Sequence, residues 1–276
     1  MSDTHTGLLI TLPAKPENVA VVRHAVAGLA ERMGMEEPGV GDLKTVVTEA
    51  SMNVVVHAYG NDEEPGPLQV EAFEEEGGLT VTVRDFGEGI RPRPEVDRPS
   101  LRIGLTLIAA LSSSFEISGG LGRGTEITMR LPLSSSDGAG WPEDARSEVV
   151  AVDGAELTIS APEMVAPVLG RVVGALAARR QITVDRISDA ALLTDAIAER
   201  APLAFGDDQV SLSVSDEADG IDLRIGPLAA GASKALLDGL AIPEVGGTLE
   251  SLADELRIEE AEGDEYLFVR FAALAA

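Results

Sequence analysis

The chain reads as one unit written twice, and that constrains its fold more than any single motif. The first half opens on a strand-like LLITLP at 8–13, followed by an amphipathic segment with Val19, Val22, Val26 and Leu29 near helical spacing. The second half opens on ELTISAP at 156–162, and EMVAPVLGRVVGALAARR repeats the amphipathic pattern. LQVEAFEEEGGLTVTVRD then predicts a β-hairpin turning at Gly77-Gly78, matched by QVSLSVSDEADGIDLRIGP, which turns at Asp219-Gly220. FEISGGLGRGTEITMRLPL and LRIEEAEGDEYLFVRFAAL close the halves, each as strand, turn and strand. An offset of about 140 residues suits duplicated domains and not a solenoid of short repeats. The expected boundaries are 1–134, a linker rich in Ser, Gly, Pro and acid at 135–149, and 150–276. Each half is expected to be an α+β sandwich, with helices on one face of a mostly antiparallel sheet.

Charge and cysteine usage then narrow the function. The 276 residues carry 21 basic and 47 acidic side chains, a net charge of −26. Counterion release on nucleic acid needs clustered Lys and Arg, so no direct nucleic-acid role is expected. An anionic membrane surface is disfavoured on the same ground. The absence of cysteine rules out disulfides, thiolate metal sites and a Cys nucleophile. No apolar run approaches the roughly 18 residues of a membrane span, and MSDTHTGLLI lacks a signal-peptide pattern. The expectation is a cytoplasmic protein.

Chemistry-bearing residues concentrate in the first half. DLKTVVTEASMNVVVHAYG places Glu49, Asn53 and His57 at successive i, i+4 positions, drifting along one helix face. Val46, Ala50 and Val54 form the neighbouring apolar stripe. Asn53 offers an uncharged oxygen suited to Mg²⁺, and Glu49 can accept a proton from an attacking hydroxyl or water. Alone, such a stripe is also what a solvated helix face looks like. The hairpin ends in VRDFGEGI, where Asp85 precedes Gly87 and Gly89 and the backbone can approach a flat ligand. By itself this run also fits an ordinary turn. Pro92, Pro94 and Pro99 mark an irregular loop, and Gly104 is expected to open a helix whose free N–H groups suit phosphate. Between residues 84 and 102 lie five Arg against four acids, local relief for a polyanion on an acidic chain. GGLGRGTEI, containing Gly124 and Thr125, supplies the last glycine-rich turn.

Together and in this order, these elements resemble the GHKL (Bergerat) ATP-binding fold. Within it, residues near 8–133 look most like the anti-sigma-factor serine/threonine kinases. The N-box is E-A-x-x-N-x-x-x-H at 49–57, the G1 box D-F-G-E-G at 85–89 and the G2 box G-R-G-T at 122–125. The resemblance implies a fold of histidine-kinase-like ATPase type in two tandem copies and a cofactor pair of ATP and Mg²⁺. It makes Glu49 the general base and Asn53 the Mg²⁺ ligand. His57 completes the N-box, and Asp85 meets the adenine amino group beside Gly87 and Gly89. Residues 91–103 become the ATP lid, Gly104 meets the phosphates, and Gly124 and Thr125 close the pocket. Arg102 stands where the family often has glycine, which questions the lid's backbone geometry and leaves a side-chain contact to phosphate as its role.

The second half departs from all of this. Leu192, Ala196 and Arg200 fall opposite Glu49, Asn53 and His57; Pro227 falls opposite Asp85. Asp264 and Glu265 stand opposite Gly124 and Thr125, where carboxylates would repel phosphate. The implied function is phosphoryl transfer to an anti-anti-sigma (STAS-like) partner in a transcription switch. The alternative is a non-catalytic nucleotide-binding module that sequesters a sigma factor or another partner. Since kinases of this family usually pair, the duplicated chain is expected to be a monomeric intramolecular pseudo-dimer.

Overall fold

In the computed structural model, residues 7–59, 64–87, 99–119, 122–133, 154–160, 162–179, 184–205, 209–215, 220–239, 241–242, 247–248, 252–261 and 263–272 are described. The chain divides into two compact units, Met1–Asp153 and Gly154–Ala276.

The first unit runs β1 (Gly7–Pro13), α1 (Asn18–Arg32), α2 (Gly39–His57), β2 (Pro67–Glu75), β3 (Gly78–Asp85), α3 (Pro99–Leu111), β4 (Ser114–Gly119) and β5 (Thr125–Pro132). Its strands lie in the order β1-β2-β3-β5-β4, and each neighbouring pair is antiparallel. Strand side chains alternate between faces, so every second residue can be apolar and inward. Leu8, Ile10 and Leu12 of β1, Leu68 and Val70 of β2, and Val81 and Val83 of β3 are fully buried. The alternate set is polar yet also buried: Gln69, Glu71, Thr80 and Thr82 are at most 7% exposed. Gln69 donates to Thr11, and the Thr82 and Thr128 hydroxyls pair at 3.1 Å, as buried polar groups require.

Helix α2 carries the candidate site, and its apolar stripe fixes which way it faces. Leu43, Val46, Val47, Ala50 and Val54 are buried, packed toward β2, β3 and β5. Helix α1 packs on α2 and β1, and α3 packs on α2.

Three expectations are corrected in this unit. The β2–β3 turn is Glu76-Gly77, with φ of 46° and 76°, and Gly78 already pairs with Glu75. Positive φ at both central residues is what a two-residue hairpin loop demands, and Glu76 tolerates it. Helix α3 starts at Pro99, not Gly104. A proline in the first turn sacrifices an N–H that would have no helical acceptor anyway, so Pro99 begins the helix instead of breaking it. Arg84, counted with the lid's positive charge, is paired with Glu126 across β3 and β5, so its charge is spent within the sheet.

The second unit runs β6 (Ala155–Ile159), a single 3₁₀ turn (Pro162–Met164), α4 (Val165–Arg179), α5 (Val184–Ala204), β7 (Val210–Ser215), β8 (Gly220–Gly226) and α6 (Ala232–Gly239). A two-residue ladder, β9 (Ala241–Ile242) with β10 (Gly247–Thr248), precedes β11 (Glu255–Ala261) and β12 (Asp264–Ala272). Its main strands lie in the order β6-β7-β8-β12-β11, again with antiparallel neighbours. Gly220, expected in the turn, is the first residue of β8, and Asp219 lies outside the described residues.

Leu43 has no exposed surface and anchors the α2 stripe. Leu43→Ala should cost about 2–5 kcal/mol, the usual range for such a cavity. The measurement is urea unfolding, read as a lower midpoint with an unchanged slope.

Candidate functional site

The site residues of the first unit come together in two clusters joined by the end of α2. In the first, Glu49 and Asn53, both half-buried, lie one turn apart on the helix. Above them passes Gly104 of α3. A Cβ on Gly104 would stand 2.7 Å from Glu49 Oε2 and 3.8 Å from Asn53 Oδ1. Any side chain at 104 would push the Glu49 carboxylate aside, so glycine here leaves that carboxylate its position. Gly104 is the sixth residue of α3, inside the helical hydrogen-bond ladder and not among the open N–H groups of the first turn. Gly104 therefore leaves room for the Glu49 carboxylate, and the N–H groups without a helical acceptor belong to the residues just after Pro99. The amide nitrogen of Asn53 is buried without a hydrogen-bond partner, an expensive arrangement unless something else completes it. His57 is exposed at the last position of α2.

The second cluster centres on Asp85 at the end of β3, 3% exposed. The Gly87 N–H donates to Asp85 Oδ1 at 2.9 Å, and the backbone N–H and hydroxyl of Thr125 also donate to its carboxylate. Burial nonetheless pushes the Asp85 pKa up, because it disfavours the charge more than these donors restore it. Glycine is what lets the three segments meet. A Cβ on Gly87 would stand 2.0 Å from the Ala58 carbonyl oxygen, and one on Gly124 would stand 2.0 Å from the Asp85 carbonyl oxygen. Gly124 also sits at φ 71°, a conformation that favours glycine. Gly89 lies outside the described residues, as does the lid at 91–98. Arg102 is the fourth residue of α3, and only its backbone belongs to the description.

Two features were not anticipated from sequence. The first is Tyr59, two residues past α2. Its hydroxyl donates to the Pro67 carbonyl at 2.6 Å and accepts the Phe86 N–H at 3.0 Å. Its ring lies on Gly66, where a Cβ would be 2.2 Å away. Burial, ahead of the nearby Asp85 charge, pushes its pKa up to about 12. The signal available was the dipeptide Tyr59-Gly60 just past the N-box, which carries no chemistry of its own. The second feature is an open cleft of ≈ 440 Å³ lined by Arg23 and His24 of α1 and by Lys44, Thr45, Thr48 and Glu49 of α2. It borders Glu49, and its basic lining comes from two separate helices.

The residues fit a nucleotide and a hard cation in kind. Among the described residues no group of three His, Cys, Asp or Glu side chains could hold a metal. A cation here would rely on Asn53 together with ligand oxygens and water, the usual habit of Mg²⁺. No helix among the described residues is long and apolar enough to cross a membrane.

Because folding raises the Asp85 pKa above its usual 3.8, the native state holds this proton more tightly than the unfolded state. Its contribution is fully present below pH 3.8 and is lost as pH rises through the higher native value. The stability of the wild type relative to Asp85→Asn should therefore fall with rising pH across that window, then flatten. Denaturant titrations of both proteins across the acid range measure this, and a difference that rises instead would contradict the burial argument.

Residues 12–131 match the family described as the histidine kinase-like ATPase domain. A serine-protein kinase RsbW from Bacillus pumilus is 40% identical over 88 residues, covering 32% of this chain and 54% of that protein. The chain thus spans about half the length of this relative. An anti-sigma F factor from Clostridium beijerinckii is 29% identical over 141 residues, covering 47% of this chain and 95% of that protein. Among solved structures, a blue-light activated histidine kinase from Erythrobacter litoralis EL346 is 28% identical. It covers 36% of this chain and 32% of its own, with a TM-score of 0.32, too low to bear on the fold. The N-, G1- and G2-box residues lie inside the matched segment, so residues 12–131 are similar to the histidine kinase-like ATPase domain and to proteins described as serine-protein kinase RsbW and anti-sigma F factor.

Proposed function

We propose that this chain is an ATP- and Mg²⁺-dependent serine/threonine protein kinase of the anti-sigma type. It would transfer the γ-phosphoryl group to an anti-anti-sigma (STAS-like) partner and so regulate a sigma factor. The observation that carries the reading is the convergence of Glu49 and Asn53 beneath Gly104, with Asp85 buried in a glycine-built turn just past the C-terminal end of α2. A carboxylate has about four acceptor sites, and three are taken by Gly87 and Thr125. The remaining one suits the exocyclic amine of adenine. Asn53 would hold Mg²⁺, which when bound neutralises phosphate charge. Glu49 would take the proton of the partner's hydroxyl as it attacks, and Thr125 and Gly124 would close the base end of the pocket. Arg102 and Gly89 are assigned to phosphate and base on the resemblance alone, and His57 to the rim.

Glu49→Ala should leave Mg-ATP binding within about twofold and slow transfer by roughly 10²–10⁴, the usual contribution of a general base. Radiolabelled transfer to the cognate partner, beside a binding titration, measures both. Transfer at the wild-type rate would remove Glu49 from the role of base.

We further propose that the second unit is a copy of the first that has lost its nucleotide site. Leu192, 56% exposed, stands where the base would be, and Ala196 where the metal ligand would be. Calorimetry should give one Mg-ATP site per chain, and light scattering a particle near 28.7 kDa. Two sites per chain would sink the idea of a silent copy.

A further inference from the structure

We infer that Tyr59 is a positioning residue that sets the base selectivity of the nucleotide site. The inference rests on the nucleotide-binding reading above.

The geometry is a strut between three segments. Tyr59 leaves the end of α2, the helix that carries Glu49 and Asn53. Its hydroxyl ties the start of β2, through Pro67, to the turn at Phe86, the residue between Asp85 and Gly87. Ala58, its neighbour, is the backbone wall against which Gly87 packs. The turn that presents Asp85 is therefore gripped at both residues that follow the acid: Phe86 by the Tyr59 hydroxyl and Gly87 by the Ala58 carbonyl wall. Phe86 is 42% exposed, so its side chain adds little anchoring, and the N–H bond to Tyr59 does that work. The phenol stays neutral through the physiological range, so it can donate to Pro67 and accept from Phe86 at once.

Asp85 touches neither Glu49 nor Asn53 in these contacts; its own donors come from Gly87 and Thr125. Releasing Phe86 should loosen the direction of the Asp85 carboxylate without moving Glu49 or Asn53. The loss should fall on recognition of the base and spare the triphosphate end.

The experiment compares full-length wild type and Tyr59→Phe in binding Mg-ATP and Mg-ITP. ITP carries a carbonyl where ATP carries the exocyclic amine. Wild type should prefer ATP. In Tyr59→Phe the ATP affinity should fall roughly tenfold, about what losing one well-directed hydrogen bond to the adenine amine costs, while ITP affinity stays within about twofold, so the preference shrinks. In transfer assays KM for ATP should rise while kcat at saturating ATP changes less than twofold. Gly66→Ala is a second route to the same end, since its methyl would displace the Tyr59 ring and leave the hydroxyl chemistry intact. It should reproduce the loss of preference if Tyr59→Phe fails to fold. A wild-type ATP preference that both variants keep would overturn the role of Tyr59. Equal losses of ATP and ITP affinity would overturn it too, as a general loosening of the fold. A wild type that binds neither nucleotide would overturn the nucleotide reading itself.

Discussion

The burial of one carboxylate organises the first unit. Asp85 sits at the end of a central strand with almost no exposed surface, and burying an ionisable group without compensation is costly. Compensation comes from donors on two other segments, Gly87 beyond the strand and Thr125 at the start of β5. For those donors to reach, three backbones must come closer than any side chain allows. Gly87 meets the end of α2 and Gly124 meets the Asp85 carbonyl. The glycines of the two boxes are thus consequences of where the acid is placed, and with them the end of α2 is fixed relative to the sheet.

The second unit tests this logic by contrast. It has the same succession of strand, two helices, hairpin, helix and closing strands. On the proposed reading of the second unit as a copy of the first, Pro227 would stand opposite Asp85, leaving no acid to bury there. In the segment after it the Leu228 N–H donates to the Glu265 carbonyl and the Ala229 N–H to the Ala204 carbonyl. With no carboxylate to satisfy, the donors there become rungs joining loop, strand and helix end. On the same reading Glu265 would stand in place of Thr125: its carbonyl accepts the Leu228 N–H, and its side chain would oppose an anion.

Much of this was legible in the sequence because it rests on patterns local in the chain. The helix stripes follow from apolar spacing, as Val46, Ala50 and Val54 show, and the strands from alternation, as Leu68, Val70 and Ala72 show. Glu49, Asn53 and Asp85 were legible as residue types in a fixed order. What escaped depends on contacts across the chain or on context that reverses a residue's meaning. Pro99 reads as a breaker until a helix is seen to start on it. Arg84 reads as lid charge until Glu126 is seen beside it, 42 positions away. Glu76 is an unusual residue for positive φ, so the glycine pair next to it drew the turn one position too late. Tyr59 carries no motif; its function comes from Gly66, Pro67 and Phe86, none of which points to it.

The buried acid also bears on how such a pocket can tell one base from another. A carboxylate in water accepts from any donor and discriminates little, because solvent completes whatever the ligand omits. At Asp85 burial raises the cost of an unfilled acceptor, as its upward pKa shift records. A ligand bringing an N–H to the last acceptor position relieves that cost, and one bringing a carbonyl adds a repulsive contact. Selectivity of this kind holds only while the carboxylate cannot turn away or admit water. Its direction is set by Gly87 and Thr125, and the turn behind it by Tyr59. Under the nucleotide reading proposed above, the burial that makes Asp85 expensive to the fold and the rigidity that holds it would together be the condition for its reading an amine.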